Sequence, residues 1–383
     1  MVTLAGLMAI RFQGNGPLWL ACPLLVWFVW QLIAATQTVD PSLTTAVIKH
    51  FAACVLCYFL GRFVLSQARD TTPFWIGILA GFVVVLGLGF NQHYGGLDEM
   101  RRFFYQQPNW QQYPPEYLKK ILSNRIFSSL VYPNALAGAL ILLLPALLVV
   151  TWRFTAQLPR VCRGTLAGLL AYSGLACLYW SGSKTGWLIA LILGLITLLY
   201  LPIQRRAKYG LFAAVLSIGV VGFFITYSNY FERGATSVGA RFDYWRAAVQ
   251  DFSRNPVFGS GPGTFSIAYK KLKSPQSEMA LLAHNDYLEQ ASDSGFIGFF
   301  SYLSFISSHL WYLYRKRSGK SDLLLFAVSL GVLGWAIQGL TEFGLYIPAL
   351  AWTAFMLLGA LVAGHGNSNR QTDGSLDSFG KRE

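Results

Sequence analysis

Charge is what this sequence has least of. Only 12% of its 383 residues are charged, against 54% that are hydrophobic, whereas soluble domains carry about 25% charged residues. That balance excludes a freely soluble globular domain. Acidic residues are the scarcer kind, 17 Asp and Glu against 30 Lys and Arg, for a formal net charge of +13. Such an excess suits nucleic acid, yet the polar stretches lack a basic strip with interleaved aromatics, so no nucleic-acid partner is expected. Metal motifs are missing as well. His50, His93, His309 and His365 are scattered, and there is no HExxH, no paired histidine, no carboxylate cluster and no Asp-x-Asp pair. Neither a metal nor a cofactor is therefore read. No GxSxG forms a nucleophile elbow, and no GKS or GKT completes a nucleotide-binding loop. Cysteines number five, Cys22, Cys54, Cys57, Cys162 and Cys177, all in or beside apolar runs. They read as small lipid-compatible residues that say nothing of redox compartment. A cleavable signal peptide is not read at the N-terminus, because the first apolar run is short and the next is of spanning length.

What the chain does have is long apolar runs and a mean hydropathy of +0.44. These predict an all-α, polytopic membrane helix bundle with about ten transmembrane helices, up to twelve if the N-terminus holds a re-entrant segment. The spans are read at about 17–36, 44–65, 73–90, 131–152, 164–181, 185–202, 209–227, 291–314, 322–341 and 346–363. Together they make residues 1–363 one integral membrane domain, and the polar 364–383 reads as a disordered tail. Two long polar stretches interrupt the pattern, 91–130 and 228–290. The first mixes charge with Phe103, Phe104, Tyr105, Trp110, Tyr113 and Tyr117, as a segment lying on the headgroup layer would, with room for one interfacial helix. Basic residues collect in alternate short loops: Arg62 and Arg69; Arg153, Arg160 and Arg163; Arg205, Arg206 and Lys208; Arg315, Lys316, Arg317 and Lys320. The positive-inside rule then places both termini in the cytoplasm. Both long loops, the SGSK turn and the TEFGLY turn then face outward, the larger loop lying between the seventh and eighth spans.

Candidate site residues fall on that outward face. His284, Leu288 and Gly295 share one stripe if the segment is helical, which would put an imidazole and a close helix contact on one wall. The plainer reading is an interfacial histidine, with Gly295 and Gly298 letting helices approach. In SGSKTGW, Ser181 or Ser183 can cap the sixth span. Lys184 then stands at a helix N-terminus, an anion-binding corner, or snorkels to lipid phosphates. Within 239–263, Arg241, Tyr244, Trp245 and Ala248 share a helical face while Arg246 and Arg254 point elsewhere. The run Gly259-Ser260-Gly261-Pro262-Gly263 reads chiefly as a tight loop, although its amides would also suit an anion cradle. A site with His284, Lys184 and Arg241 would handle a negatively charged group by cations alone, and a polyprenyl diphosphate fits such a site at a membrane surface.

These residues resemble the O-antigen ligase and polymerase superfamily, integral membrane glycosyltransferases that use undecaprenyl-diphosphate-linked glycans. The resemblance runs from about Pro133 to Gly359 through YPNALAGALILLLP, SGSKTGWLIAL, RFDYWRAAVQDFSRNPVFGSGPGTF, HNDYLEQASDSGFIGFF and EFGLYIPA. The family's His-x10-Gly falls on His284 and Gly295, its basic-x3-Leu on Lys184 and Leu188, and its outer-loop arginine on Arg241, ahead of Trp245. Lysine at 184 departs from the usual arginine, keeping the charge and losing the bidentate fork. The resemblance implies a ligase at the periplasmic face of a bacterial inner membrane that moves a glycan to a lipid A-core or other glycan hydroxyl. It implies His284, Arg241 and Lys184 as catalytic residues. Arg246, Asp286, Glu289 and Glu342 are candidates for binding substrate or orienting the imidazole, and Gly295, Leu188 and Trp245 for structural roles. Polymerases and protein O-oligosaccharyltransferases share the motifs. A small-anion transporter is the reading from another class, weakened because the interiors of the expected spans carry almost no charge and no internal repeat is seen.

Overall fold

The computed structural model describes residues 16–113, 117–118, 121–130, 132–232, 236–273, 277–316 and 322–363. The suggested N-terminal re-entrant segment, Arg317 and Lys320 of the last basic cluster, and the tail 364–383 lie outside the described residues. Among the described residues every regular element is a helix. Each of the ten apolar runs is one: α1 Ala21–Ala35, α2 Pro41–Phe63, α3 Thr72–Asn91, then, after a short surface helix α4 Leu97–Tyr105, α5 Pro133–Phe154, α6 Arg160–Trp180 and α7 Lys184–Tyr200. The chain continues through α8 Arg205–Glu232, α9 Thr236–Arg254, α10 Phe265–Leu272, α11 Asp286–Lys316, α12 Leu323–Gln338 and α13 Pro348–Ala363. Among the described residues, six helical stretches are long and apolar enough to cross a membrane unaided, while α7, α12 and α13 are apolar but shorter.

Local chemistry sets the helix starts. Asp40 accepts from the amides of Ser42 (2.8 Å) and Leu43 (3.1 Å) ahead of Pro41 at the first position of α2. Ser183 accepts from Gly186 N–H (3.2 Å) to cap α7, as the SGSK turn suggests. Asn285 does the same for α11 through the amides of Tyr287 and Leu288, both at 3.0 Å. Each cap satisfies amides that a helix start leaves unpaired. Helices α2 and α13 pack most intimately, because Gly61 and Gly359 each bring a backbone against the facing helix where a side chain would collide. Next come α5 with α12 and α1 with α11. α5 is enclosed along most of its length, whereas most of residues 205–228 in α8 are exposed.

Three expectations need correction. The polar stretch 228–290 is not a plain loop: α9 and α10 form within it and pack Tyr244, Ala248, Phe265 and Tyr269 into a small core of their own. Arg62, counted among the loop cations, is fully buried and donates from Nη2 to the Gly16 carbonyl at 2.8 Å.

The shared helical stripe of His284 and Gly295 does not exist. His284 precedes α11 with φ +52°, and α11 itself breaks at Ser294 (φ −139°) and Gly295 (φ +68°). A break in an apolar surrounding must not orphan its carbonyls. Here the Ser292 and Asp293 carbonyls accept from the amides of Ser260 and Gly261, both at 2.9 Å, and the Ser294 carbonyl accepts from Trp30 Nε1 at 2.7 Å. In return Phe296 N–H donates to the Pro256 carbonyl at 2.8 Å. The glycine-rich run is thus a tight loop whose amides serve the helix break, including Gly263 N–H to Asp293 Oδ2 at 2.7 Å. Gly295 is a close contact, as expected, but with the 256–257 backbone, where a Cβ would overlap the Val257 carbonyl. Gly295→Ala adds that overlap to an unfavourable positive φ, so it is expected to cost roughly 2 kcal/mol or more, read as a lowered melting midpoint of the detergent-solubilised protein. An unchanged midpoint would show that the break tolerates a side chain.

Candidate functional site

At the end of the bundle where the SGSK turn lies, α5, α7, α9 and the segments before α11 and after α12 enclose a cavity of 390 Å³. Three cations, Arg125, Lys184 and Arg241, line it together with His284, Tyr132, Tyr244 and Phe343. The three residues assigned from motifs that lie far apart in the chain therefore meet in one place. Lys184 reaches it from the first turn of α7, its Nζ 5.1 Å from the centre of the Tyr227 ring. Arg241 comes from α9, donating from Nε to the Thr341 carbonyl (3.0 Å) and forming an ion pair from Nη2 with Glu342 Oε1. Arg125, in the stretch before α5, donates from Nε to the Ser181 carbonyl (2.7 Å) and from Nη2 to Asn134 Oδ1 (2.6 Å). Burial pulls the Arg125 guanidinium below its ordinary pKa, while Tyr132 and Glu342 act to raise it and Arg241 adds a like-charge push. A cluster of this kind lowers its own repulsion by taking up an anion.

His284 is held from several sides. Its Nδ1 lies 3.3 Å from Glu342 Oε2. Because a carboxylate paired with Arg241 can only accept, Nδ1 is the donor nitrogen, and in the neutral ring Nε2 is the acceptor. The Phe343 ring stands edge-on to the imidazole at 4.7 Å and Tyr244 lies nearly parallel at 5.6 Å. Trp245 Nε1 makes a long bond, 3.5 Å, to the His284 carbonyl. Just upstream, Ala283 N–H donates to Glu289 Oε2. A non-glycine residue at positive φ stores strain and persists only where its surroundings over-determine it.

The remaining candidates separate. Of the three carboxylates that sequence alone cannot rank as partners of the imidazole, Glu342 is the one beside it. Asp286 is buried and accepts from Leu345 N–H (3.1 and 3.0 Å), and neither it nor Glu289 lines the cavity. Arg246 lies outside it too, its side chain 72% exposed and 3.6 Å from Asp243. Leu188 faces outward from α7, 39% exposed. Arg125, Asn134 and Tyr132 were missed. Arg125 is hidden among the many cations of 91–130, and Asn134 stands inside a quoted motif, YPNALAGAL, whose apolar character disguised it.

Residues 168–303 match the family model described as O-Antigen ligase, which bears out the resemblance to the O-antigen ligase and polymerase superfamily. The matched stretch contains Lys184, Arg241, His284 and Gly295; Arg125 and Asn134 precede it and Glu342 follows it. Over 159 residues the chain is 27% identical to an uncharacterized protein of Haemophilus influenzae, a match covering 36% of this chain and 40% of that protein. The chain thus spans two fifths of the curated relative it matches.

The pairing of Arg241 with Glu342 is testable without any substrate. Glu342→Gln leaves a largely buried guanidinium without its counter-charge and is expected to cost about 3 kcal/mol. Arg241→Gln combined with it should recover part of that loss in thermal melts, and strictly additive losses would show that the pair contributes nothing.

Proposed function

We propose that this chain is an O-antigen ligase-type glycosyltransferase that moves a glycan from undecaprenyl diphosphate to an acceptor hydroxyl, that of a lipid A-core, at the periplasmic face of the inner membrane. One observation carries the reading: Arg125, Lys184 and Arg241 converge on the cavity that also holds His284, whose Nδ1 faces a carboxylate. The basic short loops at the opposite end of the bundle support the orientation.

In this reading the three cations hold the donor diphosphate and stabilise the charge that develops on it as it leaves. Arg125 and Arg241 present guanidinium edges, and Lys184 adds a point charge at a capped helix start. The acceptor oxygen attacks the anomeric carbon, the carbon–oxygen bond to the diphosphate breaks with its electron pair going to the phosphate, and configuration inverts. The hydroxyl proton passes to His284 Nε2, and Glu342 on Nδ1 fixes the ring and stabilises the imidazolium. Because the leaving group departs as an anion already paired with cations, no general acid is needed. Tyr132, Tyr244 and Phe343 offer apolar faces on which sugar rings can stack.

His284→Ala and Arg241→Ala are each expected to lower transfer in membranes by about 10³-fold or more with the chain still inserted at normal abundance, and EDTA is expected to leave the rate unchanged. Transfer surviving in both variants would sink the assignment. A deletion strain separates ligase from polymerase: full-length polymer left on the lipid carrier indicates the former, single repeat units the latter.

A further inference from the structure

Between the Arg125 guanidinium and the Glu342 carboxylate stands one neutral side chain. Asn134 accepts through Oδ1 from Arg125 Nη2 and donates through Nδ2 to Glu342 Oε1, both at 2.6 Å. The two contacts fix the amide's orientation, since a guanidinium only donates and a carboxylate only accepts. Its backbone is fixed as well. Pro133 sets the start of α5, and the Asn134 carbonyl accepts from Gln338 Nε2 at 2.9 Å. The side chain is buried, 7% exposed. On either side of it are opposite charges that already act on each other across the amide, in surroundings where such attraction is strong.

We infer that Asn134 is a positioning residue, a neutral spacer that keeps Arg125 from pairing with Glu342 and so keeps the donor-side charge and the histidine's carboxylate on separate duties. The inference rests on the function proposed above. With the spacer in place, Glu342 divides its two oxygens between Arg241 and His284, and Arg125 keeps a guanidinium edge toward the cavity. Without it, Arg125 and Glu342 collapse onto each other, Glu342 swings from the imidazole, and the cation cluster loses a charge. Few side chains can do this. Aspartate has the right length but sets a third charge against Glu342 and neutralises Arg125; alanine and serine are too short to reach both neighbours; glutamine has the chemistry but is one carbon too long for two bonds of this length.

Three measurements on the full chain test it. Binding of undecaprenyl diphosphate, with no glycan attached, is expected to weaken about tenfold or more in Asn134→Asp, as one charge-assisted contact is neutralised. Turnover of the host's lipid-linked glycan at saturating donor should fall at least about tenfold in Asn134→Ala. When Asn134→Ala is instead made on an Arg125→Gln background, it should cost less than about twofold further, because the cation it restrains is gone. A merely structural asparagine gives the same penalty on both backgrounds, and that result overturns the proposal, as does unchanged diphosphate binding in Asn134→Asp. Melting midpoints of all variants separate loss of fold from loss of function; should Asn134→Ala not be recovered, Asn134→Ser runs the same cycle. If His284→Ala retains transfer, the parent reading fails; if it is inactive while Asn134 variants match the wild type, only this inference fails.

Discussion

A helix inside an apolar medium cannot end or break without finding partners for the backbone groups it releases. In this protein one such point is the break in α11 at Ser294 and Gly295, which draws partners from several segments. Loop 256–263 supplies the amides, α1 supplies Trp30, and Asp293 is tied both to that loop and to Tyr346 of the turn before α13 (2.9 Å). Elements distant in sequence are thereby pulled to one end of the bundle. The broken helix then presents its first turns, with His284 just ahead of them, toward α9 and the segment after α12, while its remainder continues among the other long helices.

Electrostatics at that end balances around Glu342. Arg125, Lys184 and Arg241 would repel one another if left alone, and the Glu342 carboxylate, 4% exposed, is paired with Arg241. It also faces the His284 imidazole and accepts from the Asn134 amide.

Much of this was legible in the chain itself. Each of the ten apolar runs read from the sequence falls on a helix, and six helical stretches among the described residues are long and apolar enough to cross a membrane. Such a helix declares itself by length and composition. Lys184, Arg241 and His284 were found by motif and spacing, and they do meet. The helix break was not legible, since Ser294-Gly295 in an otherwise helical pattern looks like any small-residue contact, and its partners lie over 30 residues away in loop 256–263 and farther in α1. The ranking of Asp286, Glu289 and Glu342 was out of reach for the same reason: all three follow or precede apolar runs, and only tertiary packing decides which one an imidazole touches. Asn134 shows the opposite failure, a residue in plain view whose role depends on which charges stand to its left and right.

The left-handed backbone at His284 carries one more consequence. Any L side chain bears the strain of φ +52° there, and glycine alone would not. Glycine at 284 would therefore delete the imidazole while leaving the local chain more comfortable than before, opening a hollow between Phe343 and Tyr244 shaped for a five-membered ring. Most histidines cannot be subtracted so cleanly. Here the missing ring is a replaceable part, and free imidazole diffusing into the hollow would meet the same carboxylate that held the original.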